Sequence, residues 1–122
     1  MQLDIKGRNV QVTEELRSHA ERRLHKVARQ VSDLARLEIE LSLERNPRVA
    51  DCHVAEATLY LKGVTLRARD ASPDMMRSLN LMVDELARQV KRHRDKLRRR
   101  REAHAASPRA ARAATTTSLP SM

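Results

Sequence analysis

Eight cations stand in the eleven residues from Lys91 to Arg101: Lys91, Arg92, Arg94, Lys96, Arg98, Arg99, Arg100 and Arg101. Such a run fits three kinds of partner: nucleic-acid phosphates, an anionic membrane surface, or the reader of a nuclear-type signal. A membrane-surface helix needs Leu, Phe or Trp on a face beside its cations, and here only Leu97 qualifies. Binding to phosphates is the best fit. It is driven by counterion release and weakens steeply with salt. Tyr60 is the one aromatic residue of the chain. Stacking on splayed single-stranded bases therefore has little to work with, which favours a structured RNA read by its shape.

The rest of the composition points the same way. The 122 residues carry a net charge of +9, and they suit one domain with a modest core. From residue 91 onward ten cations face two acids, a net of +8; residues 1 to 90 hold fifteen cations and fourteen acids, a net of +1. A near-neutral body with its excess charge in the last quarter implies a polyanionic partner. Cys52 is the single cysteine, which excludes an internal disulfide and fits a reducing compartment. There is no apolar run near the roughly 20 residues of a membrane span, and MQLDIKGRNV has no apolar signal core. The expected location is the cytoplasm.

The basic run needs an element to hold it. SPDMMRSLNLMVDELARQVKRHRDKLRRRR, residues 72 to 101, reads as one long helix. Met75, Leu79, Met82, Val83, Leu86 and Val90 recur at three and four and form its apolar stripe. Ser72 reads as the cap, with Pro73 in the first position and Asp74 next. The stripe thins after Val90, so the ordered end is expected between Leu97 and Arg101. The remainder, residues 102 to 122, is rich in Ala, Ser and Thr and reads as a disordered tail after a domain of residues 1 to 101.

Upstream, residues 2 to 6 alternate, with Leu3 and Ile5 on the buried side, and Gly7 to Asn9 make a turn. Thr13 caps a first helix from Glu14 to Gln30, whose stripe is Leu16, Ala20, Leu24, Val27 and Val31. Arg22, His25 and Arg29 lie opposite that stripe, and Arg23 and Lys26 along one flank. On spacing alone the more ordinary reading of these cations is the solvated face of a surface helix, with a functional role the alternative. Ala35 to Arg45 is a second strand with Leu37, Ile39, Leu41 and Leu43 inward, stopped by Asn46-Pro47. His53 to Lys62 is a third, and a fourth follows with Val64, Leu66 and Ala68 inward, joined through Lys62-Gly63 as a hairpin. The order is β-α-β-β-β-α. One apolar face per strand and one stripe per helix predict an α+β fold in two layers, a four-stranded sheet with both helices on one face. The other sheet face, with Asp4, Lys6, Glu38, Glu40, Glu56, Thr58, Tyr60, Arg67 and Arg69, meets solvent or a partner.

Nothing in the pattern points to catalysis. The five histidines have no second metal ligand at a recognised spacing. Cys52 beside His53 would be an unreactive strand cysteine, since neighbours in a strand point to opposite faces. With Gly7 and Gly63 alone there is no glycine-rich phosphate loop. No enzyme activity, cofactor, metal, membrane or small-molecule substrate is expected, and the chain is read as a monomer.

Four stretches together resemble the N-terminal domain of the ribosome hibernation-promoting factor and ribosome-associated inhibitor family (protein Y, sigma-54 modulation protein). They are IKGRNVQVTEELRSHAERRLHKV (5 to 27), LEIELSLERN (37 to 46), AEATLYLKGVTLRARDASPDMMRSL (55 to 79) and VDELARQVKRHRDKL (83 to 97). The resemblance implies a fold similar to double-stranded RNA-binding domains. It also implies a stationary-phase or stress factor that binds the small (30S) ribosomal subunit and its 16S ribosomal RNA near the decoding centre. There it would fill space needed by messenger RNA and by transfer RNA. Matching residues carry over Arg22, Arg23 and Lys26 from the first helix and Arg88, Lys91, Arg92, Arg94 and Lys96 from the second. Arg29 and the run members Arg98 and Arg99 complete the candidate rRNA-binding set. The chain departs from many relatives in lacking an aromatic in ARQVSD and in having Met76 after Asp74-Met75. Long relatives continue to a domain that pairs two ribosomes, and no segment of this sequence resembles it. Two other readings compete: a general structured-RNA-binding module without ribosome specificity, and a protein adaptor using the open sheet face with Tyr60 as anchor.

Overall fold

Leu37, Ile39 and Leu41 alternate with Glu38 and Glu40, so an extended chain must send them to opposite faces. The computed structural model, which describes residues 1–46 and 48–105, places all three aliphatic residues in the core at 1% exposure or less. The elements are β1 (Gln2–Arg8), α1 (Glu14–Ala28), β2 (Arg36–Leu43), β3 (His53–Leu61), β4 (Val64–Ser72) and α2 (Met75–Ala105). This is the expected α+β order. The chain divides into two compact units, one of Met1–Val90 and one that begins at Lys91.

In the first unit the sheet order is β1-β2-β3-β4. β1 lies parallel to β2, with Leu3 opposite Leu37 and Ile5 opposite Ile39. Parallel neighbours need a crossover, and α1 supplies it. β2–β3 and β3–β4 are antiparallel, with Ile39 opposite Ala57 and Leu59 opposite Leu66. Gly63 turns the β3–β4 hairpin at φ +79°, a conformation that suits glycine. Ala20, Leu24 and Val27 of α1 and Leu79, Met82, Leu86 and Val90 of α2 share one buried cluster with the inward residues of β2 and β3. Both helices thus cover the same sheet face. Leu3, Ile5 and Leu66, on the two edge strands, are only partly buried.

Several boundaries differ from the sequence expectation. β1 runs two residues past Lys6, so Gly7 is strand rather than turn. A Cβ at Gly7 would run into the Val10 carbonyl oxygen, and Asn9, at φ 62°, makes the bend. α1 closes at Ala28, two residues early, and Arg29 N–H donates to the His25 carbonyl (3.1 Å). Cys52 stands one residue ahead of β3, and its carbonyl accepts from Glu44 N–H (2.7 Å); it is not a strand residue.

Thr13 caps α1 as expected, its Oγ1 accepting from Leu16 N–H (3.2 Å). α2 starts differently. Asp74 is the cap, its Oδ2 accepting from Arg77 N–H (3.0 Å), and Pro73 precedes the helix instead of opening it. Ser72 belongs to β4. Its hydroxyl lies 2.7 Å from that of Ser78, whose hydroxyl also donates to the His53 carbonyl, so the pair ties the start of α2 to β3. At the other end α2 continues to Ala105, beyond the expected stop at Leu97 to Arg101. Ala, Arg and Glu are good helix formers, and the run contains no breaker before Pro108. Glu102 to Ala105, assigned to the tail by sequence, are therefore helical. The rest of the expected disordered tail lies outside the described residues.

Candidate nucleic-acid interface

α1 presents its cations because its opposite stripe is buried. Arg22, Lys26 and Arg29 are exposed and fall within about 60° of arc on one face. Among the described residues, no acid lies within ion-pair distance of any of the three. Arg23, on the flank, differs. Its Nη2 donates to Asp84 Oδ1 of α2 at 2.6 Å. One turn earlier His19 Nε2 lies 2.6 Å from Asn80 Oδ1, so two side-chain links join α1 to α2 within the first unit. Arg88, also in this unit, is exposed and donates to Glu85 Oε1 at 2.7 Å. That hydrogen bond and the Glu85 charge raise the Arg88 pKa above its ordinary value, so the guanidinium stays charged. Glu85 also accepts from Gln89 Nε2 (3.1 Å), which in turn donates to the Arg67 carbonyl (2.6 Å) on β4.

The second unit carries the basic run. Lys91, Arg92, Arg94, Lys96, Arg98, Arg99, Arg100 and Arg101 are all exposed, and no residue from Lys91 to Ala103 is buried. At 100° per residue these cations surround the helix. Arg98 donates to Asp95 Oδ1 at 3.1 Å. Among the described residues, no acid pairs with Lys91, Arg92, Arg94, Lys96 or Arg99. The eleven candidates thus form two sets, one on each unit. Sequence reasoning missed the acids that hold three of them: Asp84, Glu85 and Asp95. Spacing reveals the two local pairs at i, i+3, but Asp84 meets Arg23 across 61 positions and only the fold brings them together.

The open sheet face is a lattice of polar contacts. Glu40 pairs with Lys6 and Arg8 (3.8 Å each), and Arg36 pairs with Glu38 (3.3 Å). Tyr60 O–H donates to Glu38 Oε1 (3.0 Å), and Arg36 lies 4.9 Å from the ring centroid. Among the described residues, no group of three or more His, Cys, Asp or Glu side chains is placed to hold a metal. No described helix is long and apolar enough to cross a membrane.

A four-stranded sheet backed by two helices makes this an α+β domain, with solvent sides rich in Arg and Lys. The chain belongs to the family described as sigma 54 modulation protein / S30EA ribosomal protein, whose profile matches residues 3–98. It is 34% identical over 97 residues to a ribosome hibernation promotion factor of Picosynechococcus, covering 79% of this chain and 50% of that relative. It is 33% identical over 98 residues to the ribosome hibernation promoting factor of Salmonella typhimurium, covering 80% and 98% respectively. The chain thus spans half the length of the first relative and nearly all of the second. Among solved structures, the N-terminal domain of Thermus thermophilus Protein Y superposes with a TM-score of 0.65 at 26% identity, over 76% of this chain and 99% of that one. A ribosomal subunit interface protein from Coxiella burnetii shares the fold, with a TM-score of 0.66 at 21% identity over 78% and 99%.

Proposed function

We propose that this chain is a cytoplasmic ribosome hibernation factor. It binds the small (30S) ribosomal subunit through 16S ribosomal RNA and occupies the decoding region, where it excludes messenger RNA and transfer RNA. Inhibition is by occupancy, with no bond made or broken. The observation that carries this reading is the exposed run from Lys91 to Arg101, which has no apolar side to turn to a membrane or a protein groove. The names of the relatives support it. The cations of α1 add a second set of phosphate contacts, in which Arg22, Lys26 and Arg29 are free of acidic partners among the described residues.

The test is binding of the full chain to purified small subunits and to an unrelated A-form RNA duplex, across a salt series. If six to ten of the candidates meet phosphates, affinity falls roughly 10³- to 10⁵-fold between about 50 and 200 mM salt. The hibernation reading expects tighter binding to the subunit at every salt concentration. Equal affinity for subunit and duplex would replace it with a general structured-RNA-binding module.

A further inference from the structure

The candidate cations are not equally partnered. Arg22, Lys26 and Arg29 reach into solvent without an acidic partner among the described residues. Arg88 and Arg98 are held by acids one turn away on their own helix. Arg23 alone among the candidates is held by a different element, through Asp84. That bond uses one of the five guanidinium N–H donors. The Arg23 side chain remains 40% exposed, so the pair is open to solvent. The His19–Asn80 link repeats the same spacing, since 19 to 23 and 80 to 84 are both four residues. The two rungs join α1 to α2 at matching positions, and they keep Arg23 beside Asp84 in the ligand-free chain.

From this, and resting on the ribosome reading above, we infer that Asp84 is a positioning and specificity-determining residue. Its carboxylate holds Arg23 so that the free edge of the guanidinium meets one RNA phosphate at a fixed place on the α1–α2 seam. Two physical effects act together. A pre-ordered Arg loses less side-chain freedom on binding than a free one, which favours a phosphate already in the right place. A carboxylate beside the site repels phosphates arriving anywhere else, which lowers affinity for polyanions in general. Asp84 therefore trades bulk affinity for selectivity.

The experiment compares the wild-type full chain with Asp84→Asn, Asp84→Glu, Arg23→Ala and the double variant Arg23→Ala/Asp84→Asn, on purified small subunits and on an unrelated A-form duplex. Asp84→Asn keeps the size and removes the charge. It is expected to bind the subunit about threefold more weakly and the duplex about threefold more tightly, so selectivity falls about tenfold. Asp84→Glu should recover part of that loss. In the Arg23→Ala background the effect of Asp84→Asn on the subunit should vanish, as required when one residue acts through the other. A merely structural Asp84 would move both RNAs in the same direction. That outcome, or a weakening of subunit binding by Asp84→Asn that persists without Arg23, overturns the inference. Equal wild-type affinities for the two RNAs defeat the ribosome reading itself. A wild-type preference that Asp84→Asn leaves unchanged defeats only the role given to Asp84.

Discussion

α2 is one helix with two chemistries. From Met75 to Val90 it belongs to the first unit, and Leu79, Met82, Leu86 and Val90 are completely buried. From Lys91 it belongs to the second unit, and no described side chain is buried. The same backbone geometry therefore serves packing in one stretch and charge display in the next. The change of composition at Val90 marks the change of role. Substitutions in the buried stripe before it should act on folding, and those of the exposed cations after it on binding.

The largest effect belongs to the packed stretch. Leu86→Ala removes a fully buried side chain and should lower stability by about 2–5 kcal/mol in urea unfolding. Arg99→Ala, in the exposed stretch, should stay within about 0.5 kcal/mol of wild type. A comparable loss at Arg99 would mean that the basic stretch is packed. Next comes the combined change of Lys91, Arg92 and Arg94 to Ala. Circular dichroism and the unfolding midpoint should hardly move, while subunit affinity drops. The slope of log affinity against log salt should become shallower by about one unit per lost phosphate contact, up to three. Weaker binding with an unchanged slope would assign these residues to packing.

A smaller effect tests the start of α2. Asp74→Ala should cost about 1 kcal/mol, because the Arg77 N–H loses its partner. Ribosome affinity should be unaltered at temperatures where the variant is folded. The smallest is Arg98→Ala. The pair with Asp95 is exposed, so stability should change by only a few tenths of a kcal/mol. The salt slope should still fall by about one unit if Arg98 meets a phosphate.

Much of this organisation was legible in the sequence, for identifiable reasons. Leu37-Glu38-Ile39-Glu40-Leu41 leaves no choice of buried face, and the stripe from Met75 to Val90 admits one helix orientation. The order of elements and the two-layer architecture follow from such patterns. What could not be read depended on contacts distant in sequence. Ser72 and Asp74 are both good caps by type, and the choice between them turns on the Ser72–Ser78 contact and the His53 carbonyl. Gly7 looked like a turn residue because its need for a missing Cβ comes from the Val10 carbonyl folded against it. A thinning apolar stripe reports the end of packing and not of the helix, so α2 runs on to Ala105 while residues with good propensity last. The basic residues of the candidate interface were visible one by one. The pairing of Arg23 with Asp84, which separates it from Arg22 and Lys26, was not.

The central claim is that the chain acts by occupying the decoding region of the small subunit. The most direct measurement is the binding of labelled initiator transfer RNA to small subunits already saturated with the full chain, at moderate salt. Occupancy predicts that transfer RNA binding falls in proportion to the bound protein. The block should be relieved when Lys91, Arg92 and Arg94 are changed to Ala. Transfer RNA that enters saturated subunits undiminished would contradict the account, whatever the affinity of the protein for ribosomal RNA.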